Sequence, residues 1–268
     1  MFEASAGSRT AWGGCTYDEI DAIANEDGSI LVLPVGSVEQ HGNHLPVGTD
    51  TILANEIAAL GAERVADEIP IVLLPPFWSG YSPHHLTFGG TVSLEFDQML
   101  ETLEEIAETA LENGFDAFLF VNGHGGNQPV IDSAVSTVGS QQPNVETLGI
   151  TYFQLAKSFI DEIRESDPGG MAHGGEFETS LMLYLREELV HRDELEGTYL
   201  DEPYDLGTRD LLSGGPLSVY REFDAYSETG AIGDPKLASA EKGERIYHRL
   251  GDELEQLLSD IHQQCVTE

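Results

Sequence analysis

The chain predicts an α/β fold, a single-domain three-layer α/β/α sandwich on a mainly parallel sheet spanning residues 1–268. Three observations predict it. Apolar runs at residues 29–35, 69–74, 117–121 and 145–152 alternate with stretches of helical length and period. The first run is apolar at consecutive positions, the pattern of a strand covered on both faces. Neither an internal repeat nor a linker divides the sequence, and 40% apolar residues in 268 are enough for a sizeable core.

Each element has its own signal. Thr16 and Glu19 read as a capping box opening a helix through residue 24. The first strand follows at residues 29–35. Asp50 is placed to cap a helix running to residue 65, with Ile52, Ile57, Ala58 and Leu60 among its apolar positions. The second strand, residues 69–74, is halted by Pro75 and Pro76. Residues 77–91 mix Trp78, Tyr81, Pro83, His84 and His85 with Gly and Thr, and read as a surface loop. Ser93 is predicted to cap the clearest helix, with Leu94, Met99, Leu100, Leu103, Ile106, Ala107, Ala110 and Leu111 at helical spacing and Gly114 at its end. The third strand, residues 117–121, leads into a Gly-rich turn and a helix to residue 139. The fourth strand, residues 145–152, leads into a helix to residue 166, halted by Asp167-Pro168-Gly169-Gly170. A helix then runs through residue 186, residues 190–235 are irregular, and a long helix spans residues 237–263.

Charge excludes some partners. With 48 acidic residues against 12 basic, the net charge is −36, and only Lys157, Lys236 and Lys242 are lysines. A field of that sign repels nucleic acid and anionic membranes. The acidic residues are spread along the chain, a composition like that of halophile proteins, where molar salt shortens the Debye length to ~3 Å. No run approaches the ~20 apolar residues of a membrane span. Met1-Phe2-Glu3-Ala4-Ser5 lacks the basic and apolar regions of a signal peptide, so a cytoplasmic location is expected. Cys15 and Cys265, at opposite ends, make no disulfide framework and are given no part in the chemistry.

The chemistry sits at strand ends. Between residues 35 and 50 lie Glu39, His41 and Asp50. In an extended segment, positions i and i+2 point the same way, so Glu39 and His41 aim at one point and the Gly/Pro-rich loop can return Asp50 to it. Carboxylate oxygen and imidazole nitrogen together suit Zn, Mn or Fe. A second segment, Asn122-Gly123-His124-Gly125-Gly126-Asn127, presents His124 among glycines that permit close approach. A third supplies His173, Glu176 and Glu178 at a loop-to-helix junction. Each also has a plainer reading: a polar loop with a capping Asp50, an anion-binding turn, and helix N-terminal carboxylates facing the macrodipole. In a parallel sheet, however, the ligand crevice lies at the carboxyl ends of the strands, where both of the first two loops emerge.

Taken in order, these segments resemble the creatininase family of metal-dependent amidohydrolases over nearly the whole chain. The resemblance is carried by residues 36–42, 45–50, 122–127 and 173–180, and by residues 229–235 with Ala240-Glu241-Lys242-Gly243. It implies a creatininase-like sandwich and two divalent metal ions (Zn, Mn or Fe) per chain. Glu39 and His124 would bind one ion, His41 the other, and Asp50 would bridge them. Glu176 is the candidate for completing the second ion's shell, with Glu178 as the alternative. Paired ions lower the pKa of a bridging water and give hydroxide, while polarising a carbonyl. His173 would shuttle a proton to the leaving nitrogen. The resemblance further implies a small-molecule amide substrate and a homo-oligomer, a hexamer in the family. The amide would be cyclic, such as creatinine, or a formamide, such as a ribosylated formamidopyrimidine. A peptidase of the same family and a silent binding or assembly subunit are the alternatives. The chain departs from creatininase itself: Gly126 stands where the family's enzyme has glutamate, Gly174 replaces an alanine and Asn43 a proline, and Trp12 and Trp78 lie far from the segment covering the substrate.

Overall fold

In a computed structural model, residues 10–200 and 204–267 are described; the Met1–Ser5 stretch read for a leader lies outside them. Along the chain come α1 (Tyr17–Ala24), β1 (Ile30–Val35), α2 (Thr49–Val65), β2 (Ile71–Leu73), α3 (Phe96–Leu111) and β3 (Ala117–Asn122). They are followed by α4 (Gln128–Gln141), β4 (Glu146–Thr151), α5 (Glu176–Leu185) and α6 (Ala240–Thr267). The strands form one parallel sheet in the order β2-β1-β3-β4.

The pleat sorts the strand side chains between two cores. Ile30, Val32, Ala117, Leu119 and Val121 enter the core closed by α2, α5 and α6. Leu31, Leu33, Val35, Phe118 and Phe120 enter the one closed by α1, α3 and α4. The result is the three-layer sandwich that the sequence predicts, with β1 and β3 buried along their whole length. α6 is ~42 Å long at 1.5 Å per residue. Its inward stripe, Ile246, Leu250, Leu254, Leu258 and Ile261, follows the helical period. The outer edge of β2 is covered: Ala11 pairs with Leu73, whose N–H donates to the Thr10 carbonyl at 2.7 Å. Cys15 and Cys265 are not joined in a disulfide, and no helix among the described residues is long and apolar enough to cross a membrane.

The capping box of α1 is present, Thr16 accepting from the Glu19 N–H and Glu19 from the Thr16 N–H. Four expectations need correction. Asp50 does not cap α2; it lies in the first turn, and its carboxylate faces His41 instead of a backbone N–H. Ser93 does not cap α3, which begins beyond Glu95; its hydroxyl accepts from the Ser82 N–H and donates to the Leu94 carbonyl. The helix expected after β4 is a pair of 3-10 turns, Tyr152–Ser158 and Ile160–Glu162. Buried Phe153, Ala156 and Phe159 recur every third residue, the period of the tighter winding. Finally, residues 77–91 are not simply a surface loop. Their backbone joins the exit of β1 through Gly36 N–H to Phe77 carbonyl at 2.8 Å, and just beyond them Val92 N–H meets the Val38 carbonyl at 2.9 Å. With those polar groups satisfied, Ser82 and His85 go inside, 0% and 1% exposed.

Candidate metal centre

The strand order reverses between β1 and β3, and at such a switch point a crevice opens beyond the carboxyl ends. Loops from both ends meet there. The loop after β1 brings Glu39 and His41, and the first turn of α2 brings Asp50. The loop after β3 brings His124, the segment after β2 brings Ser82, His84 and His85, and the turn into α5 brings His173 and Glu178. Glu39, His41, Asp50, His85, His124 and Glu178 are all no more than 5% exposed.

Two local devices hold the loops in register. Asn127 donates to the Gly36 carbonyl at 2.9 Å and accepts from the Tyr81 N–H at 2.8 Å, tying three loops together. Gly123 lets its loop touch α2: a Cβ there would stand 2.7 Å from the Asp50 carbonyl oxygen and 2.9 Å from the Ala54 Cβ. Only glycine admits that approach, which sets His124 beside Asp50.

Asp50 lies between the other groups, its Oδ1 3.0 Å from His41 Nε2 and its Oδ2 3.4 Å from His124 Nδ1. Glu39 Oε1 is 3.1 Å from both His124 Nδ1 and His85 Nε2, and 3.6 Å from His173 Nδ1. Glu178 Oε1 is 3.9 Å from His41 Nε2. Glu39 is steadied by the Ser82 hydroxyl, which donates to Oε2 at 2.6 Å, and Glu178 by the Gly174 N–H at 2.6 Å. Three overlapping groups have ligand atoms within 4.8 Å of one another: Glu39, Asp50 and His124; His41, His173 and Glu178; and Glu39, His85 and His173.

The charges explain the protonation. Burial alone would keep His41 and His124 neutral. At His41 the carboxylates of Asp50, Glu178 and Glu39 outweigh burial and push the pKa up to about 10. At His124, Glu39 and Asp50 do the same, also to about 10. Glu178 is raised to about 7 by burial, with Asp50 and Glu39 opposing His41. Burial opposes ionisation of Glu39 too, yet His124 and His85 hold its pKa well below the ordinary value. His173 is neutral, depressed by burial and then by His41 and His85.

Imidazoles that cling to protons report an excess of negative potential, and a divalent cation meets the same demand. Buried Glu39 Oε1 and Asp50 Oδ2 lack hydrogen-bond partners, as ligand atoms turned to a cation would. The donor set of imidazole nitrogen and carboxylate oxygen suits zinc, manganese or iron. The residues fit the ions.

Of the residues singled out from sequence, Glu39, His41, Asp50, His124 and His173 are brought together. Glu176 is not. Its carboxylate turns into the α5–α6 junction, where Lys242 Nζ and the N–H groups of Glu165 and Ser166 hold it. The two acidic residues are two apart, about 200° around a helix, so only one can face the cluster, and it is Glu178. Ser82, His85 and Gln40 were missed; the adjacent histidines in a Pro/Gly-rich segment were the available signal. Phe223 covers the imidazoles, its ring centroid 3.9 Å from that of His85, 4.9 Å from His173 and 5.4 Å from His84. Trp12 packs on Phe115 and Trp78 is 47% exposed, so neither takes that part. Gly126 leaves no room for a side chain: a Cβ would lie 2.4 Å from His124 Nε2 and 2.8 Å from both His84 Cε1 and the Tyr81 carbonyl oxygen.

A buried cluster of histidines and carboxylates at the switch point of an α/β sandwich has the make-up of a metal-dependent hydrolase. Residues 14–258 match the family model described as creatininase, creatinine amidohydrolase, and the chain belongs to that family. It is 31% identical over 229 residues to the mycofactocin precursor peptide peptidase of Mycobacterium tuberculosis, covering 83% of this chain and 82% of the relative. It is 30% identical over 254 residues to the 3-dehydro-scyllo-inosose hydrolase of Thermotoga maritima, covering 87% and 77%. A solved structure of creatininase with manganese superposes with a TM-score of 0.79 at 26% identity, over 94% of this chain and 98% of the other. The protein is thus a metal-dependent hydrolase of the creatininase family.

Proposed function

We propose that this hydrolase holds two divalent ions and cleaves a non-peptide C–N bond in a small-molecule amide. The observation that carries the reading is Asp50, whose two oxygens face two separate donor groups across the cluster. Glu39 and His124 would hold one ion, His41 and Glu178 the other, and Asp50 would bridge them; Glu178 thus takes the part first given to Glu176. When bound, such ions lower the pKa of a water and polarise a carbonyl.

The chain's own residues do the rest. His173 gives its Nε2–H to the Gln40 carbonyl at 2.5 Å, which leaves the Nδ1 lone pair facing the cluster. Neutral and so oriented, Nδ1 takes a proton from the attacking water and returns it to the leaving nitrogen. Phe223 narrows the approach to the imidazoles, which favours a compact amide over an extended chain. Cyclic amides and formamides are therefore the first substrates to try.

Identity to the mycofactocin peptidase favours a peptidase as the second reading. Assaying cyclic amides, formamides and short peptides side by side, with zinc- and manganese-loaded protein, separates the two. Turnover of peptides alone would overturn the first reading. With a net charge of −36, we place the enzyme in a cytoplasm of high salt, as a homo-oligomer whose size light scattering in molar KCl would give.

A further inference from the structure

Four imidazoles face the carboxylates, and three of them hang the same way. His41 Nδ1, His124 Nε2 and His173 Nε2 each lie against a backbone carbonyl, those of Glu39, Tyr81 and Gln40, at 3.1, 3.3 and 2.5 Å. A carbonyl only accepts, so those nitrogens carry the proton. The nitrogen turned to the carboxylates is then the one that serves a metal or a base: at His173 it is a bare lone pair, and at His41 and His124 it holds a second proton until a cation displaces it. The Ser82 hydroxyl, 3.1 Å from His124 Nε2, agrees, because its proton is given to Glu39.

His85 hangs the other way. Its Nδ1 lies 2.9 Å from the side-chain nitrogen of Gln40. The Gln40 amide cannot be turned round. Its Oε1 accepts the Gly42 N–H at 2.9 Å, and its Nε2 donates to the Gly230 carbonyl at 3.0 Å. The second hydrogen of that nitrogen goes to His85, because the other neighbour, His173 Nε2 at 3.2 Å, carries the proton it gives to the Gln40 carbonyl and cannot accept; His85 Nδ1 therefore accepts and the ring proton sits on Nε2. That atom is buried and without a hydrogen-bond partner; it lies 3.1 Å from Glu39 Oε1, but the two are not aligned to bond. The trio of Glu39, His85 and His173 has the spacing of a cation site, yet the nitrogen His85 presents carries a hydrogen and has no lone pair to give.

We infer that His85 is a catalytic hydrogen-bond donor to the substrate's carbonyl oxygen, held in that role by Gln40, and that it is not a metal ligand. The inference rests on the amide-hydrolase reading. As the water oxygen bonds to the carbonyl carbon, the C=O π pair moves onto oxygen, and the proton of the water passes to His173 Nδ1. The N–H of His85 meets the charge growing on that oxygen. A donor fixed beforehand in a buried site needs no reorganisation as the charge develops. Gln40 is a positioning residue: its side chain touches the rings of His85 and His173 and two backbone groups, and it sets which nitrogen of His85 faces in.

The tautomer can be read directly. In protein labelled with 15N-histidine and freed of metal by chelation, long-range 1H–15N spectra should show, beside the rings of His44 and His173, which also carry their proton on Nε2, a further ring with a protonated Nε2 and a bare Nδ1, that of His85. That signal should be absent from His85→Gln and should persist after two equivalents of Zn2+ are added. In Gln40→Leu it should give way to a mixture of tautomers. A zinc-bound Nε2 on His85, with the proton on Nδ1, would overturn the inference. Acetohydroxamate, an oxygen ligand for zinc, supplies the second measurement. With zinc-loaded protein, His85→Ala should weaken its binding roughly ten- to hundredfold, the worth of a hydrogen bond to a charged oxygen. Zinc content should be unchanged, and His85→Gln, which keeps a side-chain N–H, should lose far less. Unchanged binding in His85→Ala, or loss of an equivalent of zinc, would overturn the donor role. Wild-type protein that takes up no zinc would sink the metal-centre reading instead, and the zinc-free spectrum still decides which nitrogen of His85 carries the proton.

Discussion

Metal loading should depend steeply on pH, and the cluster sets the slope. In the metal-free protein His41 and His124 have pKa values of about 10, so each holds a proton at neutral pH. A cation must displace that proton before it can take the nitrogen. With one such imidazole per ion, apparent affinity rises about tenfold per pH unit, or about 1.4 kcal/mol, from pH 7 to 9. Over that range each ion should gain roughly a hundredfold. Below about pH 7 the slope steepens for the ion held by Glu178, whose carboxyl is then also protonated. The same protons act on stability with the opposite sign. A folded pKa raised above the unfolded value of 6.5 stabilises fully below 6.5, and the contribution fades as pH rises through 10. Metal-free protein should therefore lose thermal stability between those limits while becoming a better zinc binder. Competition with a coloured chelator at pH 7, 8 and 9 gives the slope, and calorimetry in two buffers of different ionisation enthalpy counts the protons released. Zinc affinity flat across that range, with no proton release, would refute the account of the cluster.

Other outcomes follow from the same geometry. Asp50→Ala should lose both ions by elemental analysis and His41→Ala mainly one; full retention in Asp50→Ala would end its bridging role. Glu178→Gln should lose about one ion while Glu176→Gln keeps both; because Glu176 is buried against Lys242, its loss should instead cost about 3–5 kcal/mol in denaturant unfolding. His173→Ala should keep its metals and lose roughly 10²–10⁴-fold in kcat; a near-normal kcat, or loss of an ion, would show that it merely supports the loop or acts as a ligand. With a net charge of −36, the melting temperature should rise as KCl approaches molar levels, where the Debye length is ~3 Å; a melting temperature indifferent to KCl would count against the halophile assignment.

The layers were legible because β1 and β3 are apolar at consecutive positions, and a strand buried on both faces has no other sequence. Glu39, His41, Asp50 and His124 were legible because each lies in a short segment leaving a strand end, where an open parallel sheet puts its crevice. What escaped depended on partners far along the chain. Glu176 and Glu178 are indistinguishable until Lys242, 66 residues on, claims one of them. Gln40 carries no signal of its own between Glu39 and His41, although the backbone at Gly42 and Gly230 fixes the amide that meets His85. Asp50 and Ser93 carry good capping side chains, but the imidazole of His41 and the backbone of Ser82 outbid the helix ends for them.

Gly126 constrains how this site can be remodelled. A Cβ there would meet His124 Nε2 at 2.4 Å, and His84 Cε1 and the Tyr81 carbonyl oxygen at 2.8 Å. Shrinking His84 relieves one of those contacts and leaves the His124 imidazole and the backbone at Tyr81 in place. Position 126 is therefore epistatic with the whole segment that carries Tyr81 and His84, and the order of change matters. Enlarging Gly126 first pushes His124 off Asp50 and dismantles the centre before any benefit can appear. A library varying residue 126 alone should yield inactive protein, whereas one that varies it jointly with residues 81–85 lets the backbone at Tyr81 move as well.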